Sequence, residues 1–459
     1  MPAQERYDLL VIGGGAAGSA AATTALGQDA RVALVERDKI GGTCLNYGCD
    51  PTKTLIHIAE MLYQARHAQK YGLHISEAST DWSAVEQYVH QVINDIRGGT
   101  SQEASRELGK KGIEVIKGEA TFVSPTTVSV NGQTISADRI IIASGCQTVV
   151  PPIEGLHETG FITNVQAVSL PSLPRRLAVV GGGAIGIEFA QMFSRFGVAV
   201  TVLERSALIL DKEDRELADL LCDLLSKEGI RMETETELQR VEQTTQGKKL
   251  VLRCKQGTQE ELVVDEILLA LGRRPTLEKL NLNVAGVKTT KKGIQVDEML
   301  RTSVPHIWAA GDVTGAYQFT HVASEQGKVA AQNAFAKEQH AFDGRVIPWV
   351  TFTNPPLAHV GKTEEQLQKE GVQYKIGRMK FSEVERAIAN GQTGGLVKLL
   401  TDLQGNILGG HILGMHADDL LAPIVLAMHA HLPVTMLAST ILPYPTLSEA
   451  VRWAADRVQ

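Results

Sequence analysis

Cysteine is scarce, with five residues in a chain of 459. An odd count, scattered apart from one close pair, excludes a disulfide-stapled secreted scaffold. It predicts a reducing, cytoplasmic setting, with Cys146, Cys222 and Cys254 as core thiols. Aromatic residues are few, at 5%. No apolar run reaches the roughly 18 residues that a membrane-crossing helix needs. The nearest, Leu420 to Leu442, contains Pro423, His429, His431 and Pro433 and reads as a buried or interface helix followed by a turn. Excess positive charge is missing too. The net charge of -7 argues against nucleic acid and against an anionic membrane surface as partners. The polar start Met1–Arg6 and the glycine at 13 that breaks the first apolar run predict no secretory leader.

Glycine is abundant, at 43 residues, and two clusters of it organise a chain too long for one core. Tyr7 to Ile12 reads as an apolar strand. Gly13-Gly14-Gly15-Ala16-Ala17-Gly18 follows, then a small-residue helix to about Gly27 and a second strand from Arg31 to Glu36. This is the strand, glycine turn, helix, strand and acid pattern of a dinucleotide site. Gly13 makes the turn, Gly15 lets a pyrophosphate approach the backbone, and Gly18 lets helix and strand pack closely. Glu36 is placed to accept from a ribose. The unit recurs: Leu177 to Val180 leads into Gly181, Gly183 and Gly186, and a later strand ends at Glu204. Each acid lies 18 residues beyond the last glycine of its cluster. A further echo pairs Asp138–Gly145 with Asp265–Gly272. Two copies imply two nucleotides, with redox traffic between them.

Inside the first unit stands Gly41-Gly42-Thr43-Cys44-Leu45-Asn46-Tyr47-Gly48-Cys49-Asp50-Pro51-Thr52-Lys53, just ahead of a helical pattern running to about Tyr71. The cysteine spacing allows a small disulfide ring, and a helix start nearby favours a thiolate. The pair reads as redox-active, with a plain surface pair as the alternative. Further on, the strand-like Ile307–Ala310 runs into Gly311-Asp312, ahead of a helix from about Thr320 to Glu338. Asp312 there suits either a ribityl or phosphate contact or an ordinary helix cap. After a polar linker the pattern changes to strand, helix, strands and helix, which suggests a separate α+β domain.

These motifs together resemble the flavin-dependent pyridine nucleotide–disulfide oxidoreductases. The likeness covers essentially the whole length and rests on the cysteine box, both glycine clusters, the Ala309–Val313 segment, and the Phe352–Pro355 and Val360–Glu364 pieces. It implies an α/β fold with two Rossmann-like dinucleotide-binding domains and a C-terminal α+β dimerisation domain. The implied ranges are 1–149 and 276–340 for an FAD domain, 150–275 for an NAD(P) domain and 341–459 for the interface domain. By the same resemblance the first cluster, Glu36, Thr43, Lys53 and Asp312 hold FAD, and the second cluster holds the nicotinamide nucleotide. Cys49 lies against the flavin, Cys44 exchanges with substrate, and Lys53 pairs with Glu188, which is otherwise read as a solvated helix face. The resemblance also implies a homodimer.

One departure stands out. Disulfide-reducing members carry a His-Pro-Thr-x-Ser-Glu motif whose histidine, oriented by the glutamate, moves the proton of thiol exchange. This chain reads Pro443-Tyr444-Pro445-Thr446-Leu447-Ser448-Glu449. A phenol titrating near pH 10 is a poor base at neutral pH. Tyr444 and the Arg386–Asn390 stretch are similar to the mercuric reductase branch, although no cysteine follows Cys254. The expected activity is therefore electron transfer from NAD(P)H through FAD and Cys44–Cys49 to a metal ion or small oxidant. The alternatives are a dihydrolipoyl dehydrogenase-like enzyme with an altered base and a non-catalytic FAD-binding subunit. Any substrate metal would bind at Cys44 and Cys49. Histidines 411, 416, 429 and 431 lack ligand spacing and read as core or interface residues. Glu204 favours NADH, and Arg205 beside it keeps NADPH open.

Overall fold

The computed structural model describes residues 6–459 and contains three main sheets. In the first, the strand Arg6–Ile12 lies between Val32–Glu36 and Gln133–Ile142, all parallel. Ile113–Lys117 extends one side in parallel, and Ile307–Ala309 pairs with Gln133–Ile142. Thr127–Val130 and Ala120–Ser124 continue as an antiparallel edge. Every residue of Val32–Glu36 is buried, the near-continuous apolar pattern of a strand covered on both faces. Leu9, Leu10 and Val11 are fully buried, each stabilising by about 1.5–3 kcal/mol.

The helix Ala16–Leu26 buries Ala17, Gly18, Ala21, Ala22 and Ala25. Only small side chains allow the contact that follows, with the helix Thr320–Phe335 lying against it. A Cβ added at Gly327 would meet the Ala17 carbonyl oxygen at 2.1 Å. The first domain is thus closed by a segment from far along the chain.

The second unit has a four-stranded parallel sheet in the order Arg231–Glu233, Ala199–Leu203, Arg176–Val180, Glu266–Leu269. An antiparallel ribbon, Cys146–Thr148 against Arg273–Pro275, joins the two units just beyond Gly145 and Gly272. The third sheet is antiparallel, in the order Pro348–Thr351, Leu357–Gly361, Ile407–Leu413, Leu396–Thr401, Lys375–Lys380. Among the described residues no helix is long and apolar enough to cross a membrane.

Some expectations need correction. The helix from Thr320 ends at Phe335. Within the 420–442 stretch, read as one helix and a turn, Ala422–His429 is followed by a second helix, Val434–Ser439, and the short helix Ala417–Leu420 ends before it because Pro423 has no N–H to continue the ladder. Leu421, Ile424 and Ala427 are buried, whereas Leu426, Met436 and Ile441 are exposed at 64%, 48% and 92%, so this stretch has one buried and one open apolar side. Cys146 is buried, but Cys222 and Cys254 are only half-buried.

Candidate active site

The cysteine box folds into two helices meeting at Gly48. Cys44 lies within Gly42–Tyr47, and Cys49 is the first residue of Cys49–Arg66. The longer helix has Asp50 in its first turn, favourable beside the positive helix end, and Pro51, whose missing N–H needs no partner there. It buries Leu55, Ala59 and Leu62, one face at helical spacing. Gly48 permits the close turn: a Cβ there would stand 3.0 Å from the Thr43 carbonyl oxygen.

Both cysteines are free thiols that share a hydrogen bond. That bond from Cys44 is the main reason why the Cys49 thiol falls from its ordinary 9.0 to about 6; burial opposes the fall, and the Thr320 hydroxyl and Lys53 charge assist it. Cys44 moves far upward, because it donates to Cys49, is largely buried and faces the developing thiolate. The pair is therefore divided into an inner thiolate and an outer thiol. Thr320 Oγ1 is 3.3 Å from Cys49 Sγ.

Lys53, one turn into the same helix, donates from Nζ to Glu188 Oε2 at 2.8 Å. Glu188 is buried in the helix Ala184–Arg195, and its Oε1 accepts the Phe352 amide at 2.8 Å. The Lys53 ammonium also lies 4.4 Å from the Phe352 ring centroid. Glu188 is not a solvated face, since three elements converge on it. Thr320 and Phe352 were missed as site residues by sequence reasoning. Thr320 opens an unremarkable small-residue helix, and Phe352 acts through its backbone, which no residue pattern announces.

The two glycine turns are near copies. Gly13 and Gly181 have φ of 106° and 116°. A Cβ would meet a carbonyl oxygen at 2.3 Å in the first and 2.4 Å in the second. Gly18 and Gly186 are closer still, at 1.8 and 2.0 Å from the oxygens of Gly13 and Gly181. Gly183 faces open space, and Gly15 meets only Gly42, at 3.7 Å. The helices after Gly15 and Gly183 carry no side-chain cap, so their first N–H groups remain available to a phosphate. This arrangement fits a dinucleotide at each turn. The acids are less free than their positions suggest. Glu36 accepts from the Gly14 and Asp38 amides, both at 2.6 Å. Glu204 accepts from the Gly182 amide at 2.8 Å and the Ser206 amide at 2.7 Å. A carboxylate retains lone pairs beyond these contacts.

Asp312 lies in the short turn Gly311–Thr314 and does not cap the helix Thr320–Phe335, which begins after Phe319. Its Oδ2 accepts from Cys146 Sγ at 2.8 Å and from Arg273 Nη1 at 3.1 Å. Gly311 has φ of 79°, a conformation that favours glycine, and a Cβ there would also fall a tight 3.0 Å from Ala17 Cβ. Gly145 and Gly272, both at positive φ, face open space at either end of the joining ribbon. Thr43 lies in the first cysteine helix, half-buried.

Tyr444 and Glu449 are not brought together. Tyr444 is 71% exposed and has no hydrogen bond among the described residues. Glu449 is buried and accepts the Thr446 amide at 3.2 Å. His411 is buried, whereas His416, Asp418 and Asp419 form an exposed group whose ligand atoms lie within 4.8 Å of one another.

Residues 7–327 match the pyridine nucleotide-disulphide oxidoreductase family, and residues 347–455 match its dimerisation domain. The mercuric reductase of Staphylococcus aureus is 37% identical over 98% of this chain and 82% of that protein. The dihydrolipoyl dehydrogenase of Thermus scotoductus is 39% identical over 98% of this chain and 97% of that protein. Among solved structures, the Cu(II) complex of the HOCl-induced flavoprotein disulfide reductase RclA from Escherichia coli superposes with a TM-score of 0.88. It is 31% identical and covers 98% of this chain and 99% of that chain.

Proposed function

The chain belongs to the pyridine nucleotide-disulphide oxidoreductase family, and from that premise we propose that it passes electrons from NAD(P)H through FAD to the Cys44–Cys49 couple and on to a metal ion or small oxidant. The family is FAD- and NAD(P)H-dependent. Hydride and two-electron chemistry is what FAD supplies when bound. The FAD-holding residues are the first glycine turn, Glu36, Thr43, Lys53, Gly145, Gly311 and Asp312. Gly181, Gly183, Gly186, Glu204 and Gly272 hold the nicotinamide nucleotide. Glu204 favours NADH, with Arg205 leaving NADPH open. The ranges 1–149 and 276–340, 150–275, and 341–459 are the proposed domains.

The observation that carries this reading is the division of the thiol pair. The inner Cys49, lowered to about 6, is a thiolate at neutral pH and, by the family likeness, is the cysteine that would face the flavin. The outer Cys44 keeps its proton until it meets the acceptor. Lys53, held by Glu188, supplies positive charge beside the thiolate. Reoxidation of the Cys49 thiolate and Cys44 thiol to the disulfide releases two electrons and one proton. A disulfide acceptor takes up two protons, one from Cys44 and one from solvent, and needs a base to relay them. A metal ion needs only the electrons. Tyr444, exposed and without the acceptor nitrogen of a neutral imidazole, suits the second kind of acceptor.

A dihydrolipoyl dehydrogenase-like activity is the second reading, supported by the 39% identity to the Thermus scotoductus enzyme. The third, an FAD-binding subunit without catalysis, has the intact thiol pair against it. The exposed Leu426, Met436 and Ile441 suit burial in a homodimer, and the free thiols suit the cytoplasm.

Turnover measured at equal enzyme concentration with mercuric ion, cupric ion, a quinone and lipoamide separates these readings. Metal-ion or quinone turnover well above lipoamide supports the first. Fast lipoamide turnover overturns it, and failure of both NADH and NADPH to reduce the protein leaves the third. Within the first reading, Cys49→Ser should abolish the long-wavelength thiolate–flavin absorbance and Cys44→Ser should retain it; the opposite pattern exchanges their roles.

A further inference from the structure

The third sheet carries a row of side chains that the thiol chemistry does not use. Trp349, His359, His411, Lys398 and Arg378 are direct cross-strand neighbours in that order, so the row crosses all five strands. Against it sits Glu213-Asp214-Arg215-Glu216, where the second nucleotide unit starts its helix Arg215–Lys227. Asp214, Glu216 and Glu364 surround the Lys398 ammonium at 2.9, 3.0 and 2.6 Å, and Arg378 reaches Glu216 at 3.0 Å and Glu364 at 3.6 Å. The cationic end of the row is well paired.

The other end is short of one proton. Glu213 Oε1 accepts from Trp349 Nε1 at 2.8 Å. Its Oε2 faces His359 Nδ1 at 3.4 Å, and neither of these buried atoms has another partner among the described residues. His359 Nε2 lies 2.9 Å from the Gly361 carbonyl oxygen, which can only accept, so Nε2 carries hydrogen. A bare carboxylate oxygen against a bare ring lone pair, both out of water, would be repulsive and unsatisfied. His411 cannot supply the missing hydrogen. Its Nε2 points at the Lys362 carbonyl oxygen at 3.0 Å, and burial, then the charges of His359 and Lys398, keep it neutral.

This corner reaches the thiols by two routes. Trp349 stacks on His359, with centroids 3.6 Å apart, and on Phe319 at 5.7 Å; Phe319 precedes Thr320, which touches Cys49. The strand containing Trp349 also runs into Phe352, whose amide binds Glu188.

We propose that Glu213 and His359 hold one shared buried proton, and that the pair is a positioning device that seats the third sheet on the second nucleotide unit and so places Thr320 and Phe352 at the thiols. The positioning half rests on the reading of Cys49 given above; the proton does not.

Three proteins test it as intact holoenzyme. Side-chain nitrogen NMR of the wild type at neutral pH should show a hydrogen-bonded proton at His359 Nδ1, and a bare lone pair there overturns the proposal. In Glu213→Gln the amide still accepts from Trp349 and donates to neutral His359, so the contact closes without a shared proton. Alkaline pH should therefore reversibly weaken the long-wavelength absorbance of the reduced wild type and spare that of Glu213→Gln; identical profiles overturn the positioning role. His359→Leu should lose roughly 100-fold in turnover, the effect of a displacement of about 1 Å, and wild-type turnover would contradict the proposal. If the wild type has no long-wavelength band, the reading of Cys49 fails, and the NMR result alone decides the proton.

Discussion

The two nucleotide units share their turn geometry, and their helices diverge. In the first, Ala16–Leu26 buries only alanines and a glycine and serves as a packing surface. In the second, Ala184–Arg195 buries Glu188, Gln191 and Arg195. Counting from Gly18 and Gly186, these polar residues replace Ala20, Thr23 and Gly27. Gln191 and Arg195 both donate to the Asn354 carbonyl oxygen, at 2.7 and 3.1 Å, and Glu188 binds Lys53 and Phe352. The same fold unit has been kept as scaffold in one copy and turned into a junction in the other. The steric rule belongs to the turn, and the chemistry belongs to the helix face.

The comparison breaks most severely at the shared glycines. Gly18→Val and Gly186→Val each push a side chain into a carbonyl oxygen and should cost on the order of 4 kcal/mol or more, seen in denaturant unfolding. Their consequences should differ: the first yields protein without flavin, the second retains flavin and is reduced slowly by NADH or NADPH. At the diverged position, Glu188→Leu orphans the Phe352 amide and should cost about 2 kcal/mol, with Lys53 turning toward water. The matched Ala20→Gly should lose roughly 1 kcal/mol through helix propensity. Equal losses would erase the distinction between the two helices.

A pH-dependent effect concerns proton release. The Cys49 thiol moves down from 9.0 to about 6, so the folded chain gives up this proton more readily than the unfolded one. The resulting stabilisation is full above about 9 and is lost as pH falls toward 6. Titrating the long-wavelength absorbance of the reduced enzyme should give a midpoint near 6, moved upward in Lys53→Met. The least disturbance is expected from Tyr444→His. Stability should stay within about 0.5 kcal/mol, as for exposed sites in general, while disulfide reductase activity rises and flavin reduction is unchanged.

Much of the fold was legible because glycine turns and apolar strands are local. Gly13, Gly18, Gly181 and Gly186 state their steric reason within a few residues, and the two dinucleotide-binding units followed from them, whereas the full fold class came from the family likeness. The box was legible as a close thiol pair, although its division into thiolate and thiol depends on Thr320 and Lys53. Glu188 read as an exposed helix residue until family likeness pointed inward, since its partners lie on two distant segments. The row from Trp349 to Arg378 left no trace in the sequence. Cross-strand neighbours in an antiparallel sheet are set by register, and a lone histidine in a strand looks the same whether or not a carboxylate from another domain meets it.

The contact of Gly327 with Ala17 has a consequence for biosynthesis. A ribosome delivering about 5–20 residues per second exposes the first glycine turn tens of seconds before the helix that covers it emerges. Throughout that interval the nascent first domain lacks both this helix and the strand Ile307–Ala309, so the N-terminal half must remain soluble with its sheet unfinished.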